Sequence, residues 1–562
     1  MNNYTTSMPD WAERLEQGRS IIPPPIFKEP ADRAWSVLSQ LKLVDVAGQP
    51  TMGEASPPWI KDLCMSFFGA VDETTGQRLI REYFVLVPKK SSKSNTAAAI
   101  MVTALVIGWR HEAEYLIVAP TITAAQNSFK PAVAMIRADP RLSKLFQISE
   151  HTRTIKHRQN GATLKVLAAS GDTLVGSKAS ILLLDEEHAI ATMRGAASLM
   201  TEAMGGLAAR PEGAVLKITT QSSEPPVGIF KDDLRMYRDI RDGVIEDKGR
   251  LPIIFEHPRS WIESGRAQTL EGLAITNASL GYSVSRSFLE AELKKANELG
   301  GEAKIEFHAK HNNLEVGLNL RSDRWAGTDF WEKAADSTLS LDSLIERCDV
   351  AVVGIDGGGL DDLLGLTVVG RCKTSRKWLS WSHAWVHQIA LQRRKDIASR
   401  LEDFSRDGDL AIVDLPGQDV EQVCEIVQRL ESVGLLPEKN AIGVDAAGIT
   451  AIVDMLTGPQ YGIDVGRIVA VSQGFRLSGS IKTAERALAG GTLVHAQQPL
   501  MDWCVGNCKT ELKGSAVYIT KAQSGVAKID PVAALFNAVA LIALNPSGRG
   551  TLSSYLDSFT QR

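Results

Sequence analysis

A chain of 562 residues is too long for one hydrophobic core and predicts two or three domains. With 44% hydrophobic and 23% charged residues the composition is that of an ordinary globular protein, and no apolar run is long enough to span a bilayer, which argues against a membrane-embedded class. The net charge of −4 does not advertise nucleic-acid binding, but a DNA channel needs only a local basic surface, so that class stays open.

Residues 1–19 lack a basic-then-apolar signal pattern, which predicts action in the cytoplasm. Six cysteines (Cys64, Cys348, Cys372, Cys424, Cys504, Cys508) without paired CxxC spacing argue against a disulfide framework and against structural zinc. Residues 1–50 hold Pro23-Pro24-Pro25 and an apolar helical pattern over 34–43, and are expected to pack as an N-terminal extension on the first domain. An amphipathic helix over 57–68 and a strand over 83–87 follow. Then comes Pro88-Lys89-Lys90-Ser91-Ser92-Lys93-Ser94, leading into an Ala- and Val-rich helix over 95–109. Strand, small polar loop, Lys-Ser, helix is the order in which a phosphate loop presents backbone amides and a lysine. The two glycines of a standard Walker A are missing, with Ser92 where the second would stand, and a Lys/Ser-rich surface loop is the plainer reading of these residues alone.

Buried strands are predicted over 115–120, 164–168 and 181–184, with Thr121, Thr123 and Gln126 at a helix start after the first. The third continues into Asp185-Glu186-Glu187-His188, so it carries carboxylates to the end of a parallel sheet, where Asp185 can hold Mg²⁺ and Glu186 can polarise a water. A fifth strand over 215–218 ends in Thr219-Thr220-Gln221-Ser222, the kind of hydroxyl- and amide-rich loop that senses a γ-phosphate in motor ATPases. Strands alternating with helices predict a doubly wound sheet with Lys93 and Asp185 at strand ends in one cleft. Residues 171–176 are read as a loop near the cleft or the DNA path. Residues 227–341 read as mostly helical and polar, with a turn over 277–282 and a helix over 287–299 opened by a Ser287/Glu290 capping box. Asn312-Asn313-Leu314 and the span from Trp325 to Trp331 read as less regular.

The second half begins with an apolar strand over 350–355 ending in Asp356, followed by Gly357-Gly358-Gly359 and the acids Asp361 and Asp362. Strands over 364–370 and 377–385 make a meander, and a helix over 389–406, a strand over 410–413 and a helix over 419–433 follow. Residues 441–445 form another strand delivering Asp445, and Lys528-Ile529-Asp530 opens an apolar helix through 540. An Asp at a helix start is usually a cap. Three aspartates on two strands and a terminal helix resemble instead the ribonuclease-H-like metal-nuclease constellation, in which two Mg²⁺ or Mn²⁺ ions activate water and stabilise the leaving 3′-oxygen. Asp356 is then the natural bridging ligand. Lys482, Arg486, Lys509, Lys513, Lys521 and Lys528 make the last portion locally basic, suited to sequence-independent phosphate contacts.

Lys89 to Ser94, Asp185 to His188 and Thr219 to Ser222, in this order, resemble the ATPase half of the large terminase subunit of tailed bacteriophages. Lys89 stands where that family usually has arginine and Ser91-Ser92 where it has Asn-Gly, so Ser92 must take the backbone conformation a glycine would ease. The family's Gln after Pro-Trp is replaced here by Ile60, which leaves the adenine contact unassigned. The resemblance extends to the nuclease motifs at Gly354-Ile355-Asp356, Val444-Asp445 and Lys528-Ile529-Asp530. Asp361 or Asp362 stands where members carry an auxiliary acid, and His495 and Asn507 lie in segments near the nuclease cleft, His495 being read as structural with DNA or metal contact as the alternative.

The resemblance implies an α/β chain with an N-terminal doubly wound P-loop ATPase domain (51–255) after the 1–50 extension, a helical sub-domain or linker (256–340) and a C-terminal mixed-sheet nuclease domain (341–562). It implies ATP with Mg²⁺ held by Lys89, Lys90, Ser91, Ser92, Lys93, Ser94 and Asp185, Glu186 as the water-activating base, and Thr219, Thr220 and Gln221 as coupling residues. It implies two Mg²⁺ or Mn²⁺ at Asp356, Asp445 and Asp530. Its function would be ATP-driven translocation of double-stranded DNA into a procapsid and cutting of concatemers, with a small terminase subunit, the portal and further copies of itself in a ring as partners, no membrane, and a place in the host cytoplasm transiently docked on procapsids. Arg194, Arg210 and Arg235 are then the candidates for an arginine completing a neighbour's site. The rival readings are a helicase-like or repair ATPase with an attached nuclease, and a DNA-binding scaffold that has lost hydrolysis.

Overall fold

Strands that are apolar on both faces must be covered on both faces, and the apolar runs of the first half accordingly become neighbours in one sheet. The computed structural model describes residues 4–169, 179–193, 195–316, 325–445, 450–513, 516–521 and 528–549. The chain divides into two units, Met1–Val316 and Gly317–Arg562.

In the first unit, helices α1 (Lys28–Leu38) and α2 (Pro58–Phe68) precede strand β1 (Glu82–Leu86), the phosphate loop and α3 (Lys93–Ile107). Then follow β2 (Glu114–Ala119), α4 (Ile122–Arg137), β3 (Phe146–Ser149), β4 (Thr154–His157), β5 (Thr163–Ala168), β6 (Ala179–Asp185), α5 (Glu187–Ile190), β7 (Ala214–Thr219), α6 (Gly228–Arg241) and β8 (Arg250–Ile254). The strand order is β8-β1-β7-β6-β2-β5-β4-β3, parallel from β8 to β5 and antiparallel across β5, β4 and β3. Strand β7 therefore lies between the strand that feeds the phosphate loop and the strand that carries the acids. Every residue of β1, β6 and β7 is buried.

The stretch after residue 227 is mostly helical, as expected, with strand β8 as an addition not expected from the sequence. Its apolar run is interrupted by Pro252, which cannot donate to a ladder, and the fold accommodates it by placing β8 at the sheet edge. Helix α7 (Arg286–Leu299) corrects the expected cap: Ser285, extended at φ −88°, accepts from the Phe288 amide at 3.2 Å. Ser287 lies inside the helix, and Glu290 accepts from Arg286 Nε at 3.1 Å rather than closing a capping box. Helix α8 (Gly301–Asn312) packs against α7. The extension joins this unit's core: Trp11 lies under the Arg241 guanidinium at 3.9 Å and its indole N–H donates to Asp242 at 3.0 Å.

In the second unit β9 (Cys348–Gly357), β10 (Leu364–Cys372) and β11 (Trp378–His387) form the expected antiparallel meander. Strands β12 (Leu410–Val413), β13 (Ile442–Asp445), β14 (Ile468–Val471) and β15 (Leu493–Ala496) add to it in parallel, β13 beside β9. The single helix expected over 389–406 is two, Gln388–Arg393 and Lys395–Arg406, broken at Arg394. Trp325 and Trp331, expected in an irregular linker, are fully buried in this unit's core, with Trp325 edge-on to Phe536 at 5.1 Å. Helix α9 (Ser478–Ala489) and helix α10 (Asp530–Ile542) complete the part needed here.

Three glycines let α10 rest its backbone directly on the sheet. A Cβ at Gly354 would stand 1.9 Å from the Ala534 carbonyl oxygen, one at Gly365 2.6 Å from the Pro531 nitrogen, and one at Gly443 3.1 Å from the Asn537 carbonyl oxygen. Asn537 fixes the depth by donating to the Ile355 carbonyl at 3.0 Å. Gly354→Ala is therefore expected to destabilise the protein by about 3 kcal/mol or more, since backbone and not a flexible side chain must give way. Gly479→Ala, with nothing within 4 Å of the added Cβ in α9, should be neutral or stabilising by up to about 1 kcal/mol. Thermal unfolding of the two variants checks this.

Candidate functional site

The first site forms where β1, β7 and β6 end together. Leu86 is in register with Thr219, and Ile218 with Asp185. The Val87 amide donates to the Thr219 carbonyl (3.1 Å) and the Glu186 amide to the Ile218 carbonyl (2.9 Å). Ser92 takes the left-handed conformation at φ 57°, ψ 27° and caps α3, and Lys90 is left-handed too at φ 73°. Such non-glycine residues cost about 1–3 kcal/mol each and persist only where their surroundings impose them. The turn opens α3 at Lys93, on which the charges of Asp185 and Glu186 act, and leaves the first backbone amides of the helix without intrahelical partners. Burial pushes the Lys93 ammonium down to about 8 against the pull of those two acids.

The three consecutive acids have separate fates. Asp185 is buried at the strand end and accepts from Ser128 Oγ of α4 at 3.1 Å. Burial first, and the Glu186 charge second, push its carboxyl up to about 6, with Lys93 and Ser128 opposing. Glu186 is left-handed (φ 59°) and half-exposed at the same end. Glu187 turns inward: Lys217 of β7 lies 3.4 Å from Glu187 Oε1 and also pairs with Asp233 of α6, a buried ionic cluster that anchors α5. Burial drives the Glu187 carboxyl well above its usual range.

His188 and the helical stretch complete the site. His188 Nδ1 lies 2.9 Å from Thr219 Oγ1, and its Nε2 lies 3.0 Å from Lys310 Nζ of α8. The Lys89 amide donates to the Lys310 carbonyl (2.6 Å) and Ser283 Oγ to the Lys90 carbonyl (2.6 Å). The Gln221 amide donates to Asn313 Oδ1 (3.3 Å), and Asn313 Nδ2 to the Phe255 carbonyl (2.9 Å). Ser128, Ser283, Lys310 and Asn313 have no place in the sequence-level site. The one available signal is the polar cluster His308, Lys310, His311, Asn312 and Asn313 at the end of a helix. Of the arginine candidates, Arg235 is exposed on α6, Arg210 is half-exposed, and Arg194 lies outside the described residues, as does the loop 171–176.

The second site lies at the carboxyl ends of β9 and β13. Their parallel register pairs Ile355 with Val444, so Asp356 and Asp445 follow side by side on strands about 4.8 Å apart. Helix α10 sets Asp530 beside Gly357, whose added Cβ would stand 3.1 Å from Asp530 Oδ1. All three aspartates line one cavity of about 410 Å³, together with Gln473 and Tyr518. Three carboxylates without thiol or imidazole suit a hard divalent cation. Among the described residues, however, no group of three or more His, Cys, Asp or Glu side chains is placed to hold a metal ion, so a ready-made ligand cluster is not found.

Asp361 and Asp362 stand outside that cavity's lining. Asp361 accepts a bidentate pair from Arg393 (2.7 and 2.8 Å), and Asp362 pairs with Lys528. Lys528 is thereby buried and paired instead of joining an open basic track. Lys482 and Arg486 are exposed on α9 and Lys509 is half-buried, while the side chains of Lys513 and Lys521 lie outside the described part. His495 is structural: it stacks on Trp331 at 3.7 Å and both ring nitrogens meet backbone carbonyls, of Ala496 (2.8 Å) and Trp331 (2.7 Å). Asn507 donates to the Lys528 carbonyl at 3.0 Å, two residues before Asp530.

Sequence comparison matches residues 58–237 to the terminase large subunit ATPase domain and residues 273–545 to the terminase large subunit endonuclease domain. Protein YmfN of Escherichia coli (strain K12) is 23% identical over 396 residues, covering 68% of this chain and 82% of that protein. The HK97 bacteriophage large terminase crystal structure aligns over 91% of this chain and 99% of its own, with 18% identity and a TM-score of 0.47. A large terminase from a thermophilic bacteriophage aligns over 85% of this chain and 96% of its own, with 12% identity and a TM-score of 0.30.

Because the free Asp185 carboxyl titrates near pH 6, a cation bound there must displace a proton at lower pH. Mg²⁺-nucleotide affinity should be highest between about pH 6 and pH 8, falling up to about tenfold per unit below pH 6 and falling again above about pH 8 as Lys93 loses its proton. Asp185→Asn should remove the fall on the acid side along with most of the affinity. Titrations with a fluorescent nucleotide between pH 5 and 8 measure both.

Proposed function

As a member of the terminase large subunit family, the chain couples an ATPase to the packaging of phage DNA and cuts that DNA with an endonuclease, and we propose how its residues divide this work. Residues 51–255 act as the ATPase, the helical stretch from 256 to 316 in the same unit couples it, and the second unit, whose core includes Trp325 and Trp331, acts as the nuclease. The rival reading as a helicase-like or repair enzyme draws no support from either domain match.

The observation that carries the ATPase assignment is the placement of β7 between β1 and β6, which gathers Lys93, Asp185, Glu186 and Thr219 at adjoining strand ends. The loop from Lys89 to Ser94 wraps the phosphates with backbone amides, Lys93 neutralises the β- and γ-phosphates, and Ser94 and Asp185 hold Mg²⁺. Two buried polar atoms fit such a ligand: Ser91 Oγ in the phosphate loop and Gln221 Nε2 in the coupling loop have no hydrogen-bond partner among the described residues. Glu186, half-exposed beside Asp185, orients and deprotonates the attacking water. Thr219, Thr220 and Gln221 pass the state of the phosphates to the helical stretch.

In the second site Asp356, Asp445 and Asp530 would hold two Mg²⁺ or Mn²⁺ ions. Bound there, such ions supply an activated water and charge stabilisation for the leaving 3′-oxygen. Double-stranded DNA is the substrate of both engines. The working motor is a ring of this chain on a procapsid portal, fed by a small terminase subunit and acting in the host cytoplasm, with an arginine of one copy completing the ATP site of the next.

Lys93→Ala is expected to lose both nucleotide affinity and turnover. Glu186→Gln should keep nucleotide affinity and lose turnover by about 10²–10⁴-fold, the range for a general base. Unchanged ATP turnover in either folded variant would remove the residue from its assigned role.

A further inference from the structure

The hydrogen bonds around His188 run in one direction. Lys310 Nζ is a donor only, so His188 Nε2, 3.0 Å away, must accept and cannot carry the ring proton. The proton then sits on Nδ1, which donates to Thr219 Oγ1 at 2.9 Å, and Thr219 Oγ1 donates in turn to the Thr220 carbonyl at 3.1 Å. The His188 backbone amide also donates to Thr219 Oγ1, at 3.2 Å, so α5 grips the end of β7 at two points. A neutral ring is what this environment favours, since burial and the neighbouring Lys310 and Lys93 charges push the imidazole down to about 3.

Lys310 also reaches the phosphate loop, because its carbonyl accepts from the Lys89 amide at 2.6 Å. Its ammonium feels Glu186, the residue assigned to water activation. One residue of α8 thus meets the phosphate loop through its backbone, lies within the field of Glu186 through its ammonium, and reaches the end of β7 through a single intervening ring.

We propose that Lys310 is a positioning residue for hydrolysis, which holds His188 in the Nδ1–H tautomer and through it fixes Thr219, so that the phosphate loop, Glu186 and the coupling loop move as one with α8. The proposal rests on the reading of this site as an ATPase with Thr219 in its coupling loop. It assigns to the helical stretch a part in the chemical step, where a spacer would have none.

The test compares Lys310→Met, Lys310→Arg, His188→Asn and the Lys310→Met/His188→Asn double variant with wild type, measuring ATP turnover and the dissociation constant of a fluorescent ATP analogue on the full chain. Asn at position 188 can imitate the Nδ1 donor to Thr219 but offers Lys310 no acceptor in the place of Nε2. Lys310→Met and His188→Asn should each lower kcat by about tenfold to a hundredfold, the scale of a misplaced catalytic group, with nucleotide affinity within about twofold. Lys310→Arg should recover a substantial part of kcat, and the double variant should be no worse than the poorer single one. Full turnover in Lys310→Met, a loss confined to nucleotide affinity, or losses that multiply in the double variant would each overturn the proposal. Lys93→Ala in the same series separates the two readings. If it turns over ATP normally, the ATPase assignment itself fails; if it is inactive while Lys310→Met is unaffected, only the role of Lys310 falls.

Discussion

A carboxylate at the end of a strand buried on both faces is costly, and both units are arranged around that cost. In the first unit Asp185 closes a strand of seven buried residues, and Ser128 and Lys93 offset its burial. In the second, Asp356 and Asp445 close adjoining buried strands, and α10 lies across the sheet so closely that Gly354 and Gly365 have room only for glycine. A structure indifferent to function would end these strands in neutral residues. Burial keeps Asp185 poorly solvated, a state in which a divalent cation is a strong competitor for the proton.

The same geometry explains how hydrolysis can be felt elsewhere. Because β7 separates β1 from β6, its last residue is flanked by the phosphate loop on one side and the acids on the other. Its second attachment is inward, where Lys217 binds Glu187 and Asp233 in a buried ionic cluster. Losing one partner of such a cluster is expensive, about 3–5 kcal/mol in comparable cases, so α5 is expected to follow β7 as a rigid piece. Ser283, Lys310 and Asn313 then join the helical stretch to the phosphate and coupling loops by backbone and side-chain hydrogen bonds, leaving little slack between nucleotide and helices.

What was legible in the sequence is what local physics determines. Runs such as Ile181 to Leu184 and Val350 to Ile355 can be stable only as strands covered on both faces, and an acid directly after them has only the strand end to occupy. Ser92 in place of a glycine announces its left-handed turn for the same reason, whereas Lys90 adopts a second one without any sequence signal. Strand β8 is hidden by Pro252, whose tolerance depends on an edge position that only the assembled sheet defines. The cap of α7 falls on Ser285 and not Ser287, a two-residue difference that periodicity does not resolve. Trp325 and Trp331 look like linker residues until β15 and α10 arrive to cover them. The inward turn of Glu187 was equally out of reach, because it is set by Lys217 across the sheet. Lys310 is the clearest case: its partners lie more than a hundred residues away in sequence, and its role exists only in the folded site.

Two engines thus share one chain, each with its own acids. The most direct test of that separation is plasmid cleavage in Mg²⁺ or Mn²⁺ by wild type and Asp445→Ala, with ATP turnover followed in the same tubes. The variant is predicted to lose cleavage and keep ATP turnover. Cleavage that survives in Asp445→Ala, or turnover lost together with it in a folded variant, would contradict the separation of the two sites.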